Sequence, residues 1–155
     1  MIKIITAPED YTNIEGGKFI FLAGTIDNGD SEDWQKDVCE YAKTLNSTQD
    51  IYIINPRREK WDPEAGTEEV EKQVMWELGA LKRSSYILMN ILETSKSPIT
   101  LLELGIFKDN PGLYVFCKPG FYRYTNVKVV CKEFDIKLYN NYTTESIKKL
   151  LNLIV

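Results

Sequence analysis

Residues 18–24 read Lys-Phe-Ile-Phe-Leu-Ala-Gly. A short apolar run that ends in glycine predicts a strand buried on both faces and running into a turn. Similar runs follow at Ile51–Ile54, ended by Asn55-Pro56, at Tyr86–Leu92 and at Leu113–Cys117, with a weaker one near Ile136–Tyr139. Helical patterns lie between them. Trp34, Val38, Tyr41, Ala42 and Leu45 recur at helical spacing, in a helix predicted from an N-cap at Ser31 to about Leu45. Thr67–Leu81 gives a second helix after the polar loop Arg57–Gly66. Ser97-Pro98 opens a third, with serine capping the free N–H groups and proline suiting the first turn. Asn126–Phe134 and Thr143–Leu153 give two more. Strands alternating with helices predict an α/β three-layer sandwich around a mostly parallel sheet of about five strands. Ligands of such sheets bind beyond the carboxyl ends of the strands. Here those ends are Gly24-Thr25, Asn55-Pro56-Arg57, the Leu92–Ser97 loop and Lys118-Pro119-Gly120.

At 155 residues, 43% hydrophobic and 27% charged, the chain reads as one globular domain of ordinary size. A net charge of -4 argues against a general nucleic-acid binder. No apolar run is long enough to span a bilayer, and Met1–Ile5 is too short for a secretory signal core. Cys39, Cys117 and Cys131 are far apart and odd in number, as reduced thiols in a cytoplasmic protein would be. The chain has no histidine. That removes serine–histidine and cysteine–histidine catalysis and histidine-containing zinc sites. An enzyme of this composition must use carboxylates, tyrosines, lysines or a cofactor for proton transfer.

Two carboxylates stand where apolar residues are expected. Ile99, Glu103, Ile106 and Phe107 share one stripe of the third helix. On the second helix, Glu77 lies between Val74 and Leu81 on the stripe of Val70, Val74, Leu78 and Leu81. If these stripes pack on the sheet, both glutamates are buried, which is costly for an ion without a partner. A pair of carboxylates suits glycoside chemistry, in which one attacks the anomeric carbon and the other handles the proton of the leaving group. The structural alternative places each glutamate at the edge of its stripe, paired with a surface lysine or arginine. Burial between Val74 and Leu81, together with repulsion from Glu103, should raise the pKa of Glu77.

Several segments follow one another as in a known family. They are Phe19–Gly24, Glu32-Asp33-Trp34-Gln35, Asn55-Pro56-Arg57-Arg58, Gln73–Leu78, Ser97–Gly105, Gly120-Phe121-Tyr122-Arg123 and Asn126-Val127. Over roughly residues 18–140 the chain resembles the nucleoside 2-deoxyribosyltransferase-like family. The resemblance implies a flavodoxin-like fold and a double displacement without metal or organic cofactor. It implies that Glu103 attacks C1′ of the deoxyribose and expels the base, after which a second base or water attacks the glycosyl-enzyme. Glu77 matches a helix-borne catalytic aspartate that exchanges a proton with the nucleobase. Gly24 and Thr25 match the turn that lines the sugar and base pocket. Asn126 matches an asparagine that reaches a neighbouring subunit's site, which implies a homo-oligomer. The chain departs from the transferases at Glu77, one methylene longer than aspartate, and at Ser85 and Ser97, where aspartates are usual. Its end, Leu151–Val155, lacks their aromatic tail. These departures favour a broad expectation of cleavage or exchange at an N-glycosidic bond of 2′-deoxynucleosides or their 5′-monophosphates. The alternative is a catalytically quiet nucleotide-binding module of the same fold.

Other residues carry two readings each. Asn55 could read a base and Arg57 could hold a phosphate, or the two could belong to a strand-ending turn. Arg58 reads better as a partner of Glu59, Asp62 or Glu64. Ser97 could approach the sugar or cap its helix. Trp34 and Trp76 suit packing better than base stacking, whereas Trp61, in the polar loop, could close over a base.

Overall fold

The computed structural model describes residues 1–60, 62 and 64–155, so the expectation for Trp61 lies outside the described residues. The elements in chain order are β1 (Ile2–Thr6), β2 (Lys18–Gly24), α1 (Trp34–Ala42), β3 (Ile51–Asn55), α2 (Thr67–Arg83), β4 (Ser84–Ile91), α3 (Pro98–Ile106), β5 (Leu113–Cys117), α4 (Tyr124–Glu133), β6 (Lys137–Tyr139) and α5 (Thr144–Ile154). The sheet has the order β1-β3-β2-β4-β5-β6, and every pairing is parallel. From β2 onward the order is that of the flavodoxin-like fold. The sheet thus has six strands rather than five. The addition is β1, paired along its length with β3 from Ile2–Ile51 to Thr6–Asn55.

Side chains alternate across the sheet because successive Cβ atoms point to opposite faces. On β2, Phe19, Phe21 and Ala23 join the core under α2, α3 and α4, whereas Ile20 and Leu22 join the core under α1 and α5. Both layers are apolar, so the central strands are hydrophobic throughout, as parallel strands covered on both faces require. Trp34 is fully buried under α1, in line with its packing role, and Trp76 packs edge-on against Tyr11.

Local expectations shift in three places. Helix α1 starts at Trp34, not Ser31, and its N-cap is Asp33, whose carboxylate accepts from the Lys36 amide at 3.0 Å. The Ser31 hydroxyl is committed elsewhere, donating to the Ile26 carbonyl. Helix α4 begins at Tyr124, two residues before Asn126. The stripes named on α2 and α3 pack on the sheet only in part: Leu81 is fully buried and Phe107 packs against the same core. Val70, Val74, Ile99 and Ile106 are exposed, and α3 turns Thr100, Glu103 and Leu104 inward instead.

The switch point of the sheet lies between β2 and β4, where the chain stops adding strands on one side and begins on the other. Gly24 ends β2 there at φ 137, and a Cβ on it would overlap the Asn90 carbonyl of β4. The next residue, Thr25, donates its amide to that same carbonyl at 3.0 Å. Gly24→Ala is therefore expected to destabilise the protein by about 3 kcal/mol or more, from backbone strain together with a collision against backbone that cannot move aside. A urea midpoint close to that of the parent protein would contradict this.

Candidate functional site

The polar loops beyond β2 and β4 are tied to one another. The Thr25 hydroxyl meets the Ser97 hydroxyl and accepts from the Leu92 amide at 3.0 Å. Ser95 donates to Asp27 at 2.7 Å and accepts from the Ser97 amide at 3.1 Å. Asp27, Asn28 and Ser97 all hold left-handed backbone conformations, at φ 51, 54 and 46. Such residues cost about 1–3 kcal/mol each and cluster where a site is held in shape by its surroundings. Ser97 does occupy the position before α3, with Pro98 in the first turn, but its side chain makes no cap. Its hydroxyl is already committed to Thr25 and Ser95.

These loops, with α2 and α3, enclose a cavity of about 540 Å³ at the switch point. That lies within the range of about 300–1,000 Å³ common for small-molecule sites. Gly24, Thr25, Ser97, Glu77 and Glu103 all line it, so five of the eight residues singled out from the sequence meet there. Val70, Val74, Pro98 and Ile99 form apolar wall. Val70, Val74 and Ile99, expected to face the core, thus serve the cavity instead, while Leu81 and Phe107 of the same stripes stay with the core.

Glu103 is 8% exposed and has neither a hydrogen-bond nor an ion-pair partner among the described residues. Burial pushes its carboxyl up to about 8, and the charge of Glu77 adds to the effect. Glu77 is partly buried, and burial raises it as well. Two neighbours oppose that rise: Gln73 donates to Glu77 Oε1 at 2.8 Å, and the Arg58 guanidinium adds its charge. The more perturbed member of the pair is thus Glu103. Each carboxylate repels the other, but only Glu77 has a hydrogen-bond donor and a nearby cation to offset its burial.

The other three expected residues lie elsewhere. Arg57 is buried and directs all five N–H groups away from the cavity. Its two terminal nitrogens donate to the Gly29, Ser31 and Glu32 carbonyls and the Ser31 hydroxyl, and Nε faces Asp33 at 3.6 Å. The four terminal N–H groups are thus taken and the fifth faces a carboxylate, so the guanidinium is not presented to a phosphate in the switch-point cavity. Asn55 accepts from the Arg57 amide, and both residues line a second cavity of about 620 Å³ between α1 and the β1 edge. Asn126 is exposed on α4 and borders neither cavity. Ser85 is exposed at the start of β4, away from the end that meets the cavity. Arg58 does not pair with Glu59, Asp62 or Glu64. It donates from Nε to Gln73 at 2.6 Å. Gln73 and Arg58 were overlooked as site residues. The spacing of Gln73 and Glu77, four apart on one helix face, is the signal that could have found the first. Nothing local marks Arg58 over Arg57.

A family model described as nucleoside 2-deoxyribosyltransferase like matches residues 17–121. The match runs from β2 to the end of β5 and includes the cavity, both glutamates, Gln73 and Arg58. It stops before α4 and Asn126. No curated protein matches the chain.

The position of Glu103 has a thermodynamic consequence. Between an unfolded value of 4.5 and a folded value of about 8, the unfolded chain gives up this proton while the native protein keeps it. Native stability should therefore fall as pH rises through that interval, by up to about 5 kcal/mol. Glu77 contributes with the same sign. Glu103→Gln should flatten most of the decline and leave the protein more stable than its parent at pH 8. Denaturation midpoints at pH 5 and pH 8 measure this, and parallel pH profiles for parent and variant would contradict it.

Proposed function

The chain belongs to the nucleoside 2-deoxyribosyltransferase-like family, and on that premise we propose that it breaks or exchanges the N-glycosidic bond of 2′-deoxynucleosides or their 5′-monophosphates. The observation that carries this reading is the buried, unpartnered carboxyl of Glu103 beside Glu77 in the switch-point cavity. Perturbed acids in an enclosed cleft mark candidate catalytic groups. At neutral pH the two carboxyls share one proton and one charge, and their titration belongs to the pair. That is the inventory a double displacement needs. Glu103, as carboxylate, forms a bond to C1′. The electron pair of the C1′–N bond goes to the base, whose nitrogen takes the proton from Glu77. Water or a second base then attacks C1′, breaks the glycosyl ester and restores Glu103, and Glu77 recovers a proton from the attacking group.

Gly24, Thr25 and Ser97 suit contacts with the sugar and base, because they form the floor between the two strands. Five carboxylates line the cavity, those of Asp27, Asp62, Glu69, Glu77 and Glu103, against the one guanidinium of Arg58 among the described lining residues. This balance favours a neutral nucleoside over its 5′-phosphate. Asn126, exposed and outside the cavity, is available to a neighbour's site in a homo-oligomer. Exposed Met75, Ile99, Leu102 and Ile106 on α2 and α3 supply apolar surface for such contact.

The assay is incubation with each 2′-deoxynucleoside and its 5′-monophosphate, with and without free adenine, read out as a new nucleoside or a released base. Turnover should be greater with nucleosides than with monophosphates. Glu103→Ala should lower it by several orders of magnitude in a folded protein. Near-parental turnover in that variant removes Glu103 as the nucleophile. Light scattering at assay concentration should give at least a dimer, and a monomer removes the role of Asn126 in a neighbour's cavity.

A further inference from the structure

Gln73 is held by three groups at once. Its Oε1 accepts from Arg58 Nε at 2.6 Å, and its Nε2 donates to the Pro56 carbonyl at 3.1 Å and to Glu77 Oε1 at 2.8 Å. Two of these partners fix which way the amide points. A guanidinium can only donate and a carbonyl can only accept, so the reversed amide would oppose both. The end of Gln73 that faces Glu77 is therefore an obligate donor. A carboxylate oxygen accepts from it more strongly than the carbonyl oxygen of a protonated carboxyl does, so this donor favours the ionised form of Glu77. Glu103, in contrast, faces no donor among the described residues. The other ionisable groups lining the cavity, Asp27, Asp62 and Glu69, are all acids.

We infer that Arg58 and Gln73 form a relay that keeps the charge of the carboxyl pair on Glu77 and leaves the pair's proton on Glu103 in the free protein. The assignment rests on the proposed glycosidic chemistry only for its use, not for its geometry. In that chemistry the stored proton passes from Glu103 to Glu77 and on to the departing base. Glu103 is then a carboxylate able to bond to C1′, and Glu77 ends ionised. Gln73 stabilises that ionised end state through its N–H, and Arg58 holds Gln73 in the donating orientation. Both are positioning residues. They make Glu77 a stronger acid than burial alone would allow, which matters most for bases that accept a proton poorly. Arg58 also lines the second cavity, between α1 and β1, so the relay begins at a wall shared by the two cavities.

The test reads the carboxyls directly, by ¹³C NMR titration of the full-length protein labelled at the glutamate side-chain carboxyl carbon. Signals are assigned with Glu77→Gln and Glu103→Gln. In the parent protein Glu77 should titrate at lower pH than Glu103. Gln73→Met, which removes the donor, and Gln73→Glu, which offers Glu77 an acceptor in the same space, should each raise the Glu77 midpoint by about one unit or more. Arg58→Met should raise it in the same direction and serves if the α2 variants do not fold. Where deoxynucleosides are turned over, the acidic limb of the kcat/KM profile should move upward with the Glu77 midpoint, a shift that a merely structural loss would not produce. A parent protein in which Glu103 titrates first, or variants that leave the Glu77 midpoint in place, overturn the relay. Absence of turnover with the expected midpoints leaves the relay standing and removes the proposed chemistry instead.

Discussion

Strands β2 and β4 meet at Gly24 and Asn90 more closely than any side chain on residue 24 would permit. Because Gly24 has no Cβ, the Thr25 amide reaches the Asn90 carbonyl and the Thr25 hydroxyl reaches Leu92 and Ser97. The two loops that leave the sheet at this point are thereby fastened together, and the space above them, bounded by α2 and α3, becomes the cavity. A parallel sheet supplies such a parting wherever its strand order reverses. The local chemistry of residues 24–28 and 95–97 makes this one a shaped floor. The left-handed residues along it are strained, and hydrogen bonds between the loops hold them in place.

Placing Glu103 over that floor works against folding. The carboxyl is buried beside the charge of Glu77 and receives no donor among the described residues, so its ionised form is disfavoured by several kcal/mol in the native state. A protein selected for stability alone would carry glutamine or leucine at that position. Glu77 shows the contrary arrangement within the same cavity, since it receives a hydrogen bond and lies near a cation. Two chemically identical side chains are thus made unequal by their surroundings, and in the proposed chemistry that inequality separates a group that attacks from a group that carries a proton.

The alternation of apolar runs with helical periodicity was enough to place the layers, five of the strands and all five helices, because a parallel sheet buried on both faces writes itself as continuous apolar segments. The strand at Ile2–Thr6 escaped because five residues at an edge, paired on one side only, carry a weak pattern. The oddity of Glu103 and Glu77 was legible, but for a partly mistaken reason. The stripes that seemed to bury them contain Ile99 and Val74, which in the structure border a cavity instead of packing on the sheet. Periodicity reports that a face is apolar and does not distinguish a core from a pocket wall. The division of labour among Asn55, Arg57 and Arg58 was not legible at all. Adjacent residues leaving a strand point in different directions, and only the fold decides that Arg57 turns to the residue 29–33 loop while Arg58 turns to Gln73.

The grip of Arg57 on the Gly29, Ser31 and Glu32 carbonyls bears on how a ligand is received. Those carbonyls belong to the segment that follows Asp27 and Asn28 on the cavity rim, and a buried guanidinium with its four terminal N–H groups occupied restrains them before any ligand arrives. The conformational entropy of this wall is surrendered during folding, so association does not have to supply it. The rim on the β2 side is preorganised, so a ligand of the proposed site would meet a standing shape there instead of inducing one.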